Sequence, residues 1–441
     1  MSAAALPHVV ILGGGFAGLA AARRLRGAAV RVTLVDRRNH HVFQPMLYQV
    51  ATAALSPSQI AAPIRGIVGS QRNCEVLLGE AVRIEPDRRA VVLKDGEIMY
   101  DYLILATGVT PAYFGNDGWA LAAPPLKTIE DALEVRRRFL LAFERAEREK
   151  DQALRDSLIT FVIVGAGPTG VEMAGAMMEI ALKTIPREFR RVDTTRARVI
   201  LVEALDRVLP GDFPPDLSKR ALTDLRTMGV EVRLSTRVTS VDDSSVTLLH
   251  DGATESIATR NVIWAAGVKA TSLTASLGAP LDKSGRVLVS SDLSIPGHPE
   301  VFALGDLAHV TDPRTNRAIP GMCPAANQMG KYAARCIAVE TLQGTAQGAN
   351  PRPAFVYRDK GLLATIGRAR AVAHVFGRDF AGFPAWALWA LVHIFFLIGF
   401  RSKILVLLDW MWSYVTFGRG SRLITGSTAS GAAPPARASR T

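Results

Sequence analysis

The chain has 441 residues, 49% of them hydrophobic and 21% charged, with 37 Gly, 24 Pro and a net charge of +12. At about 150 residues per domain the length predicts roughly three compact units, and the balance excludes a collagen-like, wholly disordered or polytopic membrane chain. Cys74, Cys323 and Cys336 are too scattered for a zinc cage and odd in number, so no metal centre or disulfide framework is expected and a reducing compartment fits best.

In chain order, His8-Val9-Val10-Ile11-Leu12 runs directly into Gly13-Gly14-Gly15-Phe16-Ala17-Gly18. No basic region precedes it and no cleavage site follows, so it reads as a buried strand rather than a signal, and no Arg-rich leader points to an organelle. A glycine turn between strand and helix supplies the tight turn, close backbone approach and helix packing that a pyrophosphate needs, with the helix N-terminus opposing its charge. Gly13, Gly15, Phe16, Ala17 and Gly18 are therefore expected to cradle a dinucleotide. Asp36 ends the next apolar run, where a carboxylate accepts the hydroxyls of an adenosine ribose.

Further short apolar runs, Tyr102 to Ala106, Leu158 to Val164, Arg198 to Glu203, Asn261 to Ala265 and Val301 to Leu304, alternate with helical patterns and predict parallel α/β layers. Asp95-Gly96 and Asp251-Gly252 predict hairpin turns in small antiparallel sheets. Thr128, with Asp131 three residues on, predicts the cap of a charged helix reaching about Lys150.

The plan then repeats. Gly165-Ala166-Gly167-Pro168-Thr169-Gly170 follows Phe161-Val162-Ile163-Val164, and Glu203 closes its own strand. Gly165, Gly167, Gly170 and Glu203 thus predict a second dinucleotide site. Glu203 repels a 2′-phosphate, which favours NADH, while nearby Arg207 leaves NADPH open. Glu172, in the first helical turn, has two readings: a carboxylate favoured by the helix dipole, or a group acting near the nicotinamide.

Val301 to Leu304 leads into Gly305-Asp306, and an acid arriving from a distant strand suits the ribitol of FAD, a polyol that NAD lacks. The first cradle is accordingly expected to hold FAD. Ala106-Thr107-Gly108 and Ala265-Ala266-Gly267 are strand exits, expected to line the cofactors through Thr107, Gly108, Ala266 and Gly267. From Pro320 to Lys331 a helix start is expected, with Cys323 at the cap and Pro324 at N1, its positive end and Ala326 facing the flavin.

From Ala381 to Phe417 the composition turns to Trp, Phe and Leu. Phe380 to Phe400 carries no charge, but Pro384 marks a helix start near Ala385 and leaves about 24 Å to Phe400, short of a ~30 Å hydrocarbon core. Trp386, Trp389, His393, Phe396 and Phe400 share one stripe, and Arg401, Lys403, Arg419 and Arg422 flank these segments against a single acid, Asp409. An in-plane anchor on an anionic lipid surface is the expectation, with a span or a buried dimer or core helix as the other readings; no motif for nucleic acid is present.

Together these residues resemble the two-dinucleotide flavoprotein reductases over about Pro7 to Arg378. His41-Val42-Phe43-Gln44-Pro45-Met46-Leu47-Tyr48, Ile60-Ala61-Ala62-Pro63-Ile64-Arg65, Phe396 to Arg401 and Trp410 to Arg419 more specifically resemble the type II NADH:quinone oxidoreductases, the single-subunit NADH dehydrogenases. The resemblance implies FAD, hydride uptake from NADH, and reduction of a membrane quinone such as ubiquinone in a respiratory chain, without proton pumping. With it go Phe43, Gln44 and Pro45 as the flavin wall, Gln328 as the quinone contact and Glu172 or water as the source of protons, while His393, on the aromatic stripe, reads as packed or interfacial or else as quinone-facing. The family's quinone motif is Ala-Gln-x-Ala-x-Gln; Cys323-Pro324-Ala325-Ala326-Asn327-Gln328 keeps the last Gln as Gln328 and has Pro324 in place of the first. Asn39 to Ala53 holds no Cys, which excludes a disulfide or peroxide centre beside the flavin, and three scattered thiols do not make the relay of a sulfide:quinone oxidoreductase.

The expected architecture is α/β with two Rossmann-like domains. An FAD domain (1–122 and 276–380) is split around an NADH domain (123–275), followed by membrane-associating helices (381–420) and a flexible tail (421–441). The expected enzyme is a peripheral flavoprotein on the cytoplasmic face of a bacterial inner membrane, with a homodimer left open. A soluble FAD-dependent NAD(P)H reductase with a protein or oxygen acceptor is the alternative, and the Trp-rich end speaks against it.

Overall fold

The apolar runs become the central strands of two parallel sheets. His8–Leu12, buried along its whole length, lies within a sheet ordered Ser294–Ile295, His298–Ala303, Tyr102–Leu105, His8–Leu12, Arg31–Asp36, Cys74–Leu78, parallel except for its first pair. Continuous apolar runs suit strands covered on both faces. On one face Val10, Leu12, Leu103, Leu105 and Val301 pack with Ile84, Val91 and Leu273. The Phe16–Arg24 and Cys323–Gln343 helices pack against each other so closely that a Cβ on Gly330 would run into the Ala17 carbonyl.

The structure, a computed structural model, describes residues 6–345, 347–348 and 351–426. The sheet just described belongs to a first compact unit, Met1–Phe43, Ala61–Gly115 and Gly267–Gly361. The second unit, Gln44–Ile60, Asn116–Ala266 and Leu362–Thr441, holds a four-stranded parallel sheet ordered Glu231–Arg233, Arg198–Val202, Thr160–Val164, Asn261–Trp264. These units part at Gly115 and Ala266 rather than at 122 and 275, and the strands Leu362–Gly367 and Arg370–Val375, expected with the FAD domain, count with the second unit. The cause is close packing: a Cβ on Gly175, in the Pro168–Glu179 helix, would meet the Ile366 carbonyl. Of the expected tail, residues 427–441 lie outside the described residues.

Local signals hold. The Thr128 hydroxyl accepts from the Asp131 amide at 3.1 Å while the Asp131 carboxylate accepts from the Thr128 amide at 2.8 Å, closing a capping box on the Ile129–Arg148 helix. Asp251 and Gly252 have φ of 47° and 81°, the two positive values that a type I′ turn requires. The other hairpin turns one residue early, at Lys94 and Asp95, and Gly96 begins its strand. Met322 rather than Cys323 is the cap residue of the Cys323–Gln343 helix, which places Cys323 and Pro324 in its first turn.

The C-terminal region departs most from expectation. The helix with Pro384 in its first turn runs from Phe383 only to Phe396; Leu397 is extended, Gly399 has φ of 89°, and a second helix spans Phe400–Thr416. Among the described residues no helix is long and apolar enough to cross a membrane. The aromatic stripe is broken at Leu397, and its centre faces inward. Trp389 is 3% exposed, stacks on His393 at 4.2 Å and lies 5.4 Å from the Trp410 ring and 6.4 Å from Tyr48. Polar tips explain this: Trp410 Nε1 donates to Gln49 Oε1 at 2.7 Å and His393 Nδ1 to the Trp389 carbonyl at 2.6 Å, bonds that a hydrocarbon environment does not offer. The far end of the stripe, Phe396 and Phe400, is exposed, together with Leu391, Phe395, Leu408, Met411, Trp412 and Val415.

The expected cations are also mostly spent. Arg419 is buried, paired with Glu179 at 2.9 Å and donating to the Thr52 carbonyl and hydroxyl; Arg422 pairs with Glu188, and Lys403 donates to the Phe395 carbonyl. Arg419 is therefore an internal fastener, while the Arg422 pair with Glu188 stays half exposed.

Candidate functional site

Each glycine turn is built by the same three contacts. Gly13 (φ 104°) donates to the Val35 carbonyl and abuts the Ala106 carbonyl, so that any side chain there would collide with the strand exit Ala106-Thr107-Gly108. Gly165 (φ 100°) donates to the Val202 carbonyl and abuts the Ala265 carbonyl, where a Cβ would stand at 2.8 Å. The acids close the pattern. Asp36 accepts from the amides of Gly14 at 2.6 Å and Arg38 at 2.7 Å; Glu203 accepts from those of Ala166 at 2.7 Å and Leu205 at 3.0 Å. Each carboxylate, besides any ribose, thus ties the glycine loop to the turn after the next strand. Above Gly15 and Gly167 nothing lies within 4 Å of a would-be Cβ, which leaves open space at each helix N-terminus where a phosphate fits.

The first unit gathers the rest of the FAD expectation around its cradle. Gly305 sits beside Ala326 and Ala17, their methyl groups 3.5 and 3.7 Å from its would-be Cβ, and Asp306 lies against Gly321. Phe43 meets Phe16 edge-on at 5.9 Å, and Thr107 shares a 3.2 Å hydroxyl contact with Thr271. A phosphate-sized gap, a ribose acid, a second acid from a distant strand and an aromatic wall fit FAD. Gly267 lies in this unit too, where its carbonyl accepts from the Ala112 amide, while Ala266 belongs to the second unit beside Gly165. Gln44 and Pro45 form a 3-10 turn that opens the second unit's Gln44–Ile60 segment.

Glu172 does not sit as a dipole-stabilised carboxylate. It is buried in the second unit, and burial holds its carboxyl well above the ordinary range, with the Thr365 backbone and the Trp389 indole N–H pulling weakly the other way. That indole N–H closes no hydrogen bond of normal geometry. Tyr48, equally buried, is raised by burial and then by Glu172, and its oxygen accepts from Gln49. Gln328 is engaged at both ends of its amide: Nε2 donates to the Arg358 carbonyl at 2.9 Å and Oε1 accepts from the Arg358 amide at 3.0 Å. Arg207 donates to the Gly211 carbonyl, which ties its guanidinium to the protein.

Sequence reasoning did not single out His41, which is buried and donates from Nδ1 to the Gly14 carbonyl at 3.0 Å, a second brace on the first cradle. It also gave no role to Tyr48 and Gln49. All three lie in or beside the quoted His41 to Tyr48 stretch, and a polar residue inside an apolar run is the signal available for them. Among the described residues no disulfide joins the cysteines and no cluster could hold a metal ion.

Residues 7–330 match the family model of pyridine nucleotide-disulphide oxidoreductases and residues 360–420 that of the NDH2 C-terminal domain. The chain is 44% identical over 433 residues, 96% of its length and 91% of the relative's, to the type II NADH:quinone oxidoreductase Ndh of Mycobacterium tuberculosis. It is 28% identical to an internal alternative NAD(P)H-ubiquinone oxidoreductase of Arabidopsis thaliana mitochondria, over 94% of this chain and 85% of that one. In fold it is similar to NDH2 of Plasmodium falciparum solved with NADH, with a TM-score of 0.85 and 20% identity over 94% of this chain and 99% of that one. With both family models and a relative of that identity in agreement, the chain belongs to the type II NADH:quinone oxidoreductases, FAD enzymes that oxidise NADH and reduce a quinone without pumping protons.

Proposed function

We propose that FAD lies on the Gly13 cradle, its adenosine ribose on Asp36 and its ribitol chain on Asp306, and that NADH lies on the Gly165 cradle with its ribose on Glu203. When bound, FAD accepts the hydride of NADH and hands two electrons to quinone. The chain's own residues bind, orient and manage protons. Gly15, Phe16, Ala17 and Gly18 present the helix N-terminus to one pyrophosphate, and Gly167 and Gly170 serve the other. Phe43, Gln44 and Pro45 wall the flavin, while Thr107, Gly108, Ala266, Gly267, Gly305 and Ala326 line the carriers. Glu203 selects NADH over NADPH, since its carboxylate repels a 2′-phosphate and Arg207 is tied to Gly211.

Glu172 keeps a proton in its buried site, and this proton is the one it lends to quinol formation. Gln328 contacts the quinone headgroup, from a position that its two bonds to the Arg358 backbone support. The Phe383–Phe396 and Phe400–Thr416 helices lie in the membrane plane on their exposed apolar residues, on the cytoplasmic face of a bacterial inner membrane. The observation that carries this reading is the duplicated loop-to-acid clamp, one per unit, in a chain with the C-terminal domain of this family.

The test is direct. Anaerobic NADH should bleach the yellow protein rapidly, a soluble quinone analogue should restore the colour, and NADPH should bleach it far more slowly. A preparation that keeps its colour in NADH would remove the reading. Gln328→Ala should slow reoxidation by quinone and leave bleaching by NADH nearly unchanged.

A further inference from the structure

The second unit carries a cleft of about 340 Å³ that the redox chemistry does not use, bounded by Ala54 to Gln59, one stripe of the Phe400–Thr416 helix, and Gly418 to Ser421. Arg401, Leu405, Asp409 and Trp412 recur at spacings of three and four and so share that stripe. At one end Arg401 is exposed and has no ion pair or hydrogen bond among the described residues. At the other, one Asp409 oxygen accepts from Gln59 Nε2, and Ser56 and Ser58, their hydroxyls 3.1 Å apart, stand on the facing wall. Around the cleft Phe400, Leu408, Met411 and Val415 expose 55–80% of their surface.

We propose that this cleft binds the headgroup of one zwitterionic phospholipid, a phosphatidylethanolamine, with its phosphate on Arg401 and its ammonium on Asp409. The proposal rests on the in-plane anchor above and names the lipid that anchor prefers. The argument is charge complementarity. With Arg419 and Arg422 paired to acids and Lys403 donating to the Phe395 carbonyl, Arg401 is, among the described residues of these helices, the cation without a partner, and its contact with an anionic surface is worth only about 1 kcal/mol. The same cleft offers an acid eight residues along the helix, about 12 Å of axis. A phosphate and an ammonium joined by two carbons, each a hydrogen bond of ~3 Å from its partner, reach across that separation once the Arg401 side chain folds inward. A phosphatidylglycerol headgroup offers nothing to Asp409 but hydroxyls. A choline ammonium has no N–H to donate to a carboxylate or to the serines. The exposed apolar residues beside the cleft receive the acyl chains.

Flavin-loaded full-length protein is titrated with dihexanoyl phosphatidylethanolamine, phosphatidylglycerol or phosphatidylcholine below their micelle concentrations. The readout is Trp412 fluorescence, taken as the difference between the parent and Trp412→Phe. A saturable change with the ethanolamine lipid is expected, with both other lipids ~10-fold weaker, and a similar ~10-fold weakening in Arg401→Gln and in Asp409→Asn. NADH oxidation with a soluble quinone analogue should stay unchanged in these variants. Equal or tighter binding of the glycerol lipid, no saturation with the ethanolamine lipid, or indifference to both substitutions overturns the proposal. Flotation with phosphatidylcholine vesicles tests the anchor separately: failure to float removes the anchor, while the short-chain titration still decides the cleft.

Discussion

The glycine cradles and the C-terminal helices are assembled on opposite principles. In each cradle the hydrogen bonds join groups within about forty residues: loop amides to a strand carbonyl and to one acid. In the C-terminal region they join side chains hundreds of residues apart, Arg419 to Glu179, Trp410 to Gln49 and Asp409 to Gln59. The first kind of structure shapes the loop that meets a ligand. The second organises the fold and meets the ligand only indirectly, through Glu172 under Trp389.

The sharpest way to break that contrast is to remove the acids. Asp36→Ala and Glu203→Ala each delete an acceptor for two backbone amides, bonds to a charged group worth about 1.5–3 kcal/mol apiece. Asp36→Ala should emerge from purification colourless, read from flavin absorbance per chain. Glu203→Ala should keep its flavin and raise the KM for NADH by more than about 100-fold. Loss of flavin in the second variant would show that the two cradles are not independent.

The reverse experiment targets the fasteners. Arg419 is 8% exposed at its side chain and Glu179 17%, so Arg419→Met should cost about 3 kcal/mol, the low end for a broken buried pair because Arg368 still stands 3.6 Å from Glu179. Arg422→Met, at a wetter pair with Glu188, should cost under about 1 kcal/mol. Urea midpoints measure both, and KM for NADH should move in neither.

Two groups beside Trp389 sharpen the comparison through pH. Burial lowers His393 to about 4 from an ordinary 6.5, so the stability it supports is complete above pH 6.5 and is lost as pH falls toward 4. Discounted for residual exposure, the loss is about 2 kcal/mol, and His393→Phe should flatten it. Burial raises Glu172, which reverses the sign: stability is complete below about 4.5 and declines as pH rises through the shifted value. Glu172→Gln should therefore match the parent in acid and exceed it increasingly toward alkaline pH. Thermal midpoints from pH 4 to 9 separate the two, and a common slope would refute the opposed assignment.

The cradles were legible because their chemistry is local. A strand, three glycines and an acid at fixed spacing leave little freedom, and Asp36 ends the Arg31–Asp36 strand as expected. The C-terminal stripe was legible only as a helix. Trp386, Trp389 and His393 have the same spacing whether they face lipid or core, and the deciding partners, Gln49 and Tyr48, lie far back in the chain, where nothing in the pattern assigns them a role. Arg419 failed for the same reason: nothing near it in sequence names Glu179. Glu172 was placed on its helix correctly, but the burial that raises it comes from tertiary packing, and the groups that partly offset it, Thr365 and Trp389, lie on other elements.

The smallest expected effect concerns a purely local device at the edge of the second unit. Thr128→Ala removes the hydroxyl that accepts the Asp131 amide, while the Asp131 carboxylate keeps its bonds to the amides of Lys127 and Thr128 at 3.0 and 2.8 Å. Half of the capping box survives, so the loss should be near 1 kcal/mol rather than the upper limit for such caps. Thr128→Ser should recover most of it, because the hydroxyl oxygen is retained without the methyl group. The urea midpoint reads the change, and flavin content and KM for NADH should be untouched, since the cap supports the Ile129–Arg148 helix and neither acid. A shift in KM with the cap alone would mean that the second cradle leans on this helix, and that its independence from distant packing is less complete than its short-range contacts imply.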